Sequence, residues 1–182
     1  MRNAIPREAH AVLLFYPDDV AGVQAYVNEY KEVFIDEYTP IESGIQFYME
    51  EVPVPDTVVP EEIQDNLIDA LMACQNGVMR MIPTVPDTVE TSSNLAIVTI
   101  GGGKADFRIL ARSSSDTMKD FLADSLGTCF SMAGMKVEFS GSYSGWEPNV
   151  DSPILHAMTA SYEQQFGTKP AVKVIHAGLE CG

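Results

Sequence analysis

Two apolar runs meet at three consecutive glycines, and that meeting limits the fold more than any other feature of the chain. Leu95 to Ile100 reads as a strand, Gly101-Gly102-Gly103-Lys104 as a turn and Ala105 to Arg112 as the returning strand. Glycine tolerates the positive φ that tight hairpin turns demand, so the chain contains at least one antiparallel pair. The flanking sequence adds further elements. Ala11 to Tyr16 is a continuous apolar run, the pattern of a buried strand. After Pro17, with Asp18 or Asp19 available as a cap, Val20, Val23, Val27, Tyr30 and Phe34 recur at helical spacing as far as Tyr38. Ile45, Phe47 and Met49 alternate with polar neighbours, which predicts a half-buried strand.

Pro53, Pro55 and Pro60 stiffen the next connection, and Pro60 suits the first position of a helix carrying Ile63, Leu67, Leu71 and Cys74 until Gly77 stops it. Residues 78–93 show no regular pattern. Beyond the hairpin, Ser115 or Asp116 opens a helix with Met118, Leu122, Leu126 and Cys129 on its face. Val137 and Phe139 mark a short strand. A loop from Gly141 to Asp151 holds the only tryptophan, Trp146, and offers the best domain boundary. Ser152-Pro153 starts a last helix with Ile154, Met158, Tyr162 and Phe166, and Val172 to Ile175 reads as a final strand. Hairpins and helices mix without a βαβ rhythm. That predicts an α+β fold, an antiparallel sheet with helices packed on one face.

The 182 residues allow one large domain or two small ones, and a hydrophobic content of 46% supplies a core. A formal charge of −15 repels phosphate backbones, so no nucleic-acid partner is expected. No apolar run is long enough to span a bilayer, and no basic segment followed by an apolar stretch opens the chain, so no membrane partner is expected either. Cys74, Cys129 and Cys181 are widely spaced with no Cys-x-x-Cys pair; neither a zinc ribbon nor a disulfide framework is indicated, and a reducing cytoplasmic setting fits best.

Few residues look able to carry chemistry. His10, His156 and His176 belong to no His-x-Asp or His-Glu-x-x-His pattern, so no metal site is expected within this chain. Gly141-Ser142-Tyr143-Ser144-Gly145 fails as a nucleophile elbow because Tyr143 holds its centre. Arg112 stands at a strand end just before a helix start. It is either an exposed arginine paired with Asp116 or a guanidinium that can hold a carboxylate in two parallel hydrogen bonds. Asn3 is either solvated or an amide offered to a carbonyl. In the last eight residues, from Ile175-His176 to Glu180-Cys181-Gly182, Gly178 and Gly182 flank Glu180, so a turn there either leaves the carboxylate in water or aims it at a ligand.

Several segments agree on a family. Arg2-Asn3-Ala4-Ile5-Pro6-Arg7-Glu8-Ala9, Val89-Glu90-Thr91-Ser92-Ser93-Asn94, Ala111-Arg112-Ser113, Gly145-Trp146-Glu147-Pro148 with Asp151-Ser152-Pro153, and Ile175 to Gly182 occur in order along essentially the whole chain. Together the chain resembles the aminoacyl-histidine dipeptidases, also called cytosol non-specific dipeptidases, of the dinuclear zinc peptidase class. The resemblance implies a metal-dependent dipeptidase acting on Xaa-His and other dipeptides. It implies two zinc ions and a general base in a parent enzyme, with none of those ligands in this chain. It places a ferredoxin-like lid and dimerisation domain over residues 1–144 and a returning helix and strand of the catalytic domain over residues 145–182. A homodimer is implied. By the same resemblance Asn3 contacts substrate near the scissile bond and Arg112 holds the substrate carboxylate, while charge alone offers Glu180 to the dipeptide's ammonium. The chain is then expected to be a fragment inactive alone, or else a free-standing lid-like binding module. Residues 40–75 match the family only loosely.

Overall fold

A computed structural model of the chain describes residues 1–146 and 148–177. These form two compact units, one of residues Met1–Arg7 with the chain from Val59 onward, the other of Glu8–Val58.

The smaller unit is built on helix α1, Val20–Tyr38, entered through a 3-10 turn at Pro17–Asp19. Neither Asp18 nor Asp19 makes a side-chain cap; the turn itself carries the backbone into the helix. Val23, Val27, Phe34 and Ile35 are its less exposed apolar positions. Phe34 meets Phe47 edge-on, with centroids 5.2 Å apart. Phe47 lies in the segment expected to be a strand. Its alternation is real, since Ile45, Phe47 and Met49 are half-buried while Gln46, Tyr48 and Glu50 are exposed. It is nevertheless not a strand, and neither is Ala11–Tyr16, where Leu13 is 66% exposed. A strand needs a ladder partner as well as a pattern, and neither segment has one among the described residues.

In the larger unit, helix α2 (Glu61–Ala73) starts one residue later than the sequence implies, with Pro60 as its N-cap and the Pro60 carbonyl accepting from the Gln64 N–H at 2.9 Å. Strands β1 (Gly77–Met81), β2 (Val89–Gly101) and β3 (Lys104–Ser113) make an antiparallel sheet in the order β1-β2-β3. The hairpin falls where the glycines place it; Gly102 and Gly103 adopt φ of 57° and 75°. Two expectations fail here. Residues 78–93 are irregular only over residues 82–88: the rest belong to β1 and to the first five residues of β2. The strand expected over Leu95–Ile100 begins six residues earlier, at Val89.

Helix α3, Asp116–Met132, lies on one face of this sheet. Leu122, Leu126 and Phe130 of α3 form a core with Ala70 of α2 and with Cys74, and Leu95, Phe107, Ile109 and Ala111 of the sheet pack against it. Leu122 is 0% exposed. The rings of Phe107 and Phe130 meet at a tilt of 50°, with centroids 5.1 Å apart. Between Leu95 and Ile97 the ladder slips: Leu95 opposes Ile109 but Ile97 opposes Arg108, so Ala96 is an extra residue on β2. Met135 and Val137 also pack on the core, but in no strand. Helix α4, Pro153–Phe166, has Ser152 as N-cap, Pro153 in its first turn and Gly167 at φ 71° as its C-cap, as the sequence spacing predicts. Val172–Ile175 is not a strand. The architecture is α+β, a three-stranded antiparallel sheet with helices.

Candidate functional site

Side chains alternate along a strand, so the residues of β2 and β3 that do not face α3 share the sheet's opposite face. Ala111 and Ile109 point to the core; Arg112 therefore points away from it, and its cross-strand partner is Ser92. Asn94, two residues along β2, lies on the same side. These three polar side chains gather two remote pieces of chain. Asn94 Nδ2 donates to the carbonyls of Arg2 (3.1 Å) and Ala4 (2.8 Å), which seats the N-terminal segment on the sheet. Arg112 Nη2 donates to Asn3 Oδ1 at 2.8 Å, and Arg112 Nη1 donates to the His176 carbonyl at 3.2 Å. His176 Nε2 and Ser92 Oγ lie 2.8 Å apart.

The structure thus joins Asn3 and Arg112 directly, although 109 residues separate them. The expected alternative, Arg112 paired with Asp116, does not occur. Asp116 instead takes a hydrogen bond from Lys119 Nζ at 2.8 Å and another from the Gly145 N–H at 2.8 Å. Lys119, that hydrogen bond first and the Gly145 amide second, holds the Asp116 carboxyl below its ordinary value. Glu180 lies outside the described residues.

Three members of the cluster were not singled out as site residues by sequence reasoning, Ser92, Asn94 and His176. The only signal for Ser92 is a run of polar residues, Glu90 to Asn94, that apolar alternation cannot explain. His176 is half-buried. Burial first, and the Arg112 guanidinium second, push its pKa below the usual histidine value, against a backbone hydrogen bond with Val89 that raises it. A guanidinium has five N–H donors in a planar fork. Asn3 and His176 engage one on each terminal nitrogen, so the remaining donors can receive an anion while the plane stays fixed. The face supporting the site is internally satisfied. Thr91, fully buried on the core side, bonds Ser113 Oγ at 2.8 Å, and buried Glu90 meets Arg80 at 3.3 Å.

Among the described residues, no group of three or more His, Cys, Asp or Glu side chains is gathered so as to hold a metal ion. The two zinc ions implied by the resemblance find no fitting ligand set among the described residues. Among the same residues, no helix is long and apolar enough to cross a membrane.

No protein-family model matches the chain. The cytosol non-specific dipeptidase of Escherichia coli (strain K12) is 35% identical to it over 182 residues, which is 100% of this chain and 38% of that protein. A crystal structure of aminoacylhistidine dipeptidase from Vibrio alginolyticus superposes with a TM-score of 0.87 at 38% identity, covering 91% of this chain and 34% of that one. Sequence and fold together make the chain a relative of peptidases. More narrowly, it is a homologue of the aminoacylhistidine, or cytosol non-specific, dipeptidases, and it spans 38% of the length of the curated relative that it matches.

Proposed function

We propose that the chain supplies a substrate-binding and dimerisation surface to a metal-dependent dipeptidase of the cytosol, and that it has no hydrolytic activity alone. Residues 1–144 then act as the lid domain and residues 145–182 as a returning part of the catalytic domain. Within that reading Arg112 receives the C-terminal carboxylate of a dipeptide, Asn3 contacts the substrate beside the scissile bond, and Glu180 pairs with the free ammonium. Two zinc ions and a base would come from parts of a longer enzyme; this chain's share is to bind and orient.

The observation that carries the reading is the Asn3–Arg112 hydrogen bond of 2.8 Å on the open face of the sheet. It brings a fixed amide beside a fixed cation, the pair of groups needed to hold a peptide carbonyl and a terminal carboxylate together. A carboxylate on Arg112 gains charge-assisted bonds to the fork.

The test uses the full-length gene product, assayed with free and C-terminally amidated dipeptides. Arg112→Ala is expected to raise KM for the free dipeptide by roughly tenfold or more, the loss of one charge-assisted contact, and to leave the amide almost unchanged. A fall in kcat with KM unmoved would remove Arg112 from carboxylate binding. Hydrolysis by the 182-residue chain itself would overturn the assignment of a purely binding role.

A further inference from the structure

His176 spans β2 and β3, the two strands that carry the site. Its ring reaches Ser92 on β2, at 2.8 Å from Nε2, while its carbonyl takes the Nη1 proton of Arg112 on β3, at 3.2 Å. Ser92 and Arg112 are themselves opposed across the ladder. One residue, 84 positions from Ser92 and 64 from Arg112, is therefore gripped at both its polar ends. Its grip on Arg112 is through the backbone, which no side chain change can supply; its grip on Ser92 is what fixes where that backbone lies. A guanidinium with both terminal nitrogens tied, to Asn3 Oδ1 and to the His176 carbonyl, has no freedom to rotate about its last bond.

We propose that Ser92 and His176 are positioning residues for Arg112: the Ser92–His176 hydrogen bond holds the His176 carbonyl where it sets the plane of the guanidinium, and so sets the direction from which a carboxylate is received. The proposal rests on the carboxylate-binding reading of Arg112. It also has a physical signature independent of that reading. Arg112 on β3 is the charged group that lowers the His176 pKa, and β2 adds the Ser92 hydroxyl and the Val89 backbone.

Two measurements decide it. The first follows the His176 ring by NMR in the 182-residue chain as pH is lowered. His176 is expected to titrate below the ordinary value of 6.5, to move upward in Arg112→Met, and to shift in Ser92→Ala. A ring whose titration is not depressed in the wild type and does not move in either variant overturns the proposal. The second uses the full-length gene product. His176→Ala and Ser92→Ala are each expected to raise KM for a free dipeptide by about tenfold, with kcat and the KM of the amidated dipeptide little changed. His176→Gln and Ser92→Thr, which keep a partner for the hydrogen bond, are expected to recover most of the loss. Equal damage to free and amidated substrates, or no rescue by Gln and Thr, overturns the positioning role. Should the full-length product hydrolyse no dipeptide, the dipeptidase reading fails, and the NMR titration alone judges the Ser92–His176–Arg112 arrangement.

Discussion

Gly145 is where a single methyl group should do the most damage. A Cβ built there would lie 2.3 Å from the Ser114 carbonyl oxygen, 2.5 Å from its carbon and 3.0 Å from the Ser113 oxygen. An ordinary C···O contact is about 3.3–3.6 Å, so roughly 1 Å must be found. Neither side yields it easily. The Ser114 N–H is bonded to the Glu90 carbonyl at 3.1 Å and the Ser115 N–H to Ser113 Oγ at 3.1 Å, which ties this corner to β2 and to itself. The opposing segment is held by the Gly145 N–H on Asp116 and by Lys119 Nζ on the Tyr143 carbonyl, 2.8 Å each. All the clashing atoms are backbone, so no rotamer change relieves them. Overpacking costs typically ~1–3 kcal/mol, and Gly145→Ala belongs at the upper end, ~3 kcal/mol, against a total stability of order 5–15 kcal/mol for a domain. Urea unfolding followed by circular dichroism reads this as a lower midpoint at unchanged slope. Gly127→Ala in α3 is the control: its Cβ would meet only the ring end of Phe139, at 3.0 Å, which can swing aside. The gain in helix propensity, about 1 kcal/mol, then offsets the crowding. Equal midpoints for Gly145→Ala and wild type would refute the close approach of residues 113–114 and 145.

Three other outcomes follow from the same packing. Leu122→Ala, which empties a fully buried position, should cost about 2–5 kcal/mol by urea unfolding; a loss under ~0.5 kcal/mol would mean that the core is not closed there. Cys74, pushed up to about 11 by burial and secondarily by Cys129, should resist alkylation near neutral pH until the chain is unfolded, so fast labelling of the folded chain at Cys74, read by mass spectrometry, would contradict its burial. His176 gives a pH dependence with a definite sign. Its folded-state pKa is depressed, so as pH falls through 6.5 the unfolded chain takes up the proton first and stability declines until the lower folded value is passed; above 6.5 nothing is lost. Urea midpoints for wild type should therefore drop more steeply on the acid side than those of His176→Gln, and parallel curves would dismiss the effect.

The helices and the hairpin were legible because each has a local cause. α4 is bracketed by Ser152-Pro153 and Gly167, and the turn by glycines that take positive φ. The start of β2 was not legible because its residues break the usual strand rule. Thr91 and Ser93 occupy inward positions and are buried, yet they are polar; they fit because Thr91 meets Ser113 Oγ and Ser93 Oγ donates to the Gln75 carbonyl at 2.5 Å. No window of sequence contains both partners. The opposite error occurs at Ala11–Tyr16 and Val172–Ile175, where an apolar run records a preference for leaving water but cannot name a neighbouring strand. The site divides the same way. Arg112 and Asn3 could be marked by resemblance to a family, but their direct bond, and the part of Ser92 and His176 in it, depends on which face of β2 and β3 each residue takes.

Along β2 the numbering of the inward residues changes parity at Ala96. As the extra residue on β2, it works like a phase shift in a two-beat rhythm: before it the odd-numbered residues Thr91, Ser93 and Leu95 look toward α3, and after it Val98 and Ile100, opposite Phe107 and Ala105, take that side. The polar beat that carries Ser92 and Asn94 is confined to one end of the strand, and Ile97 takes over the outer beat beyond it. Deleting the single codon for Ala96 would leave every other residue of β2 on its present face and opposite its present β3 partner, and would remove only the bulge with its local bend and twist. The bulge is thus a joint between two stretches of opposite numbering parity that already share one inward face, and Ala96 shapes the strand without choosing which of its neighbours meet α3.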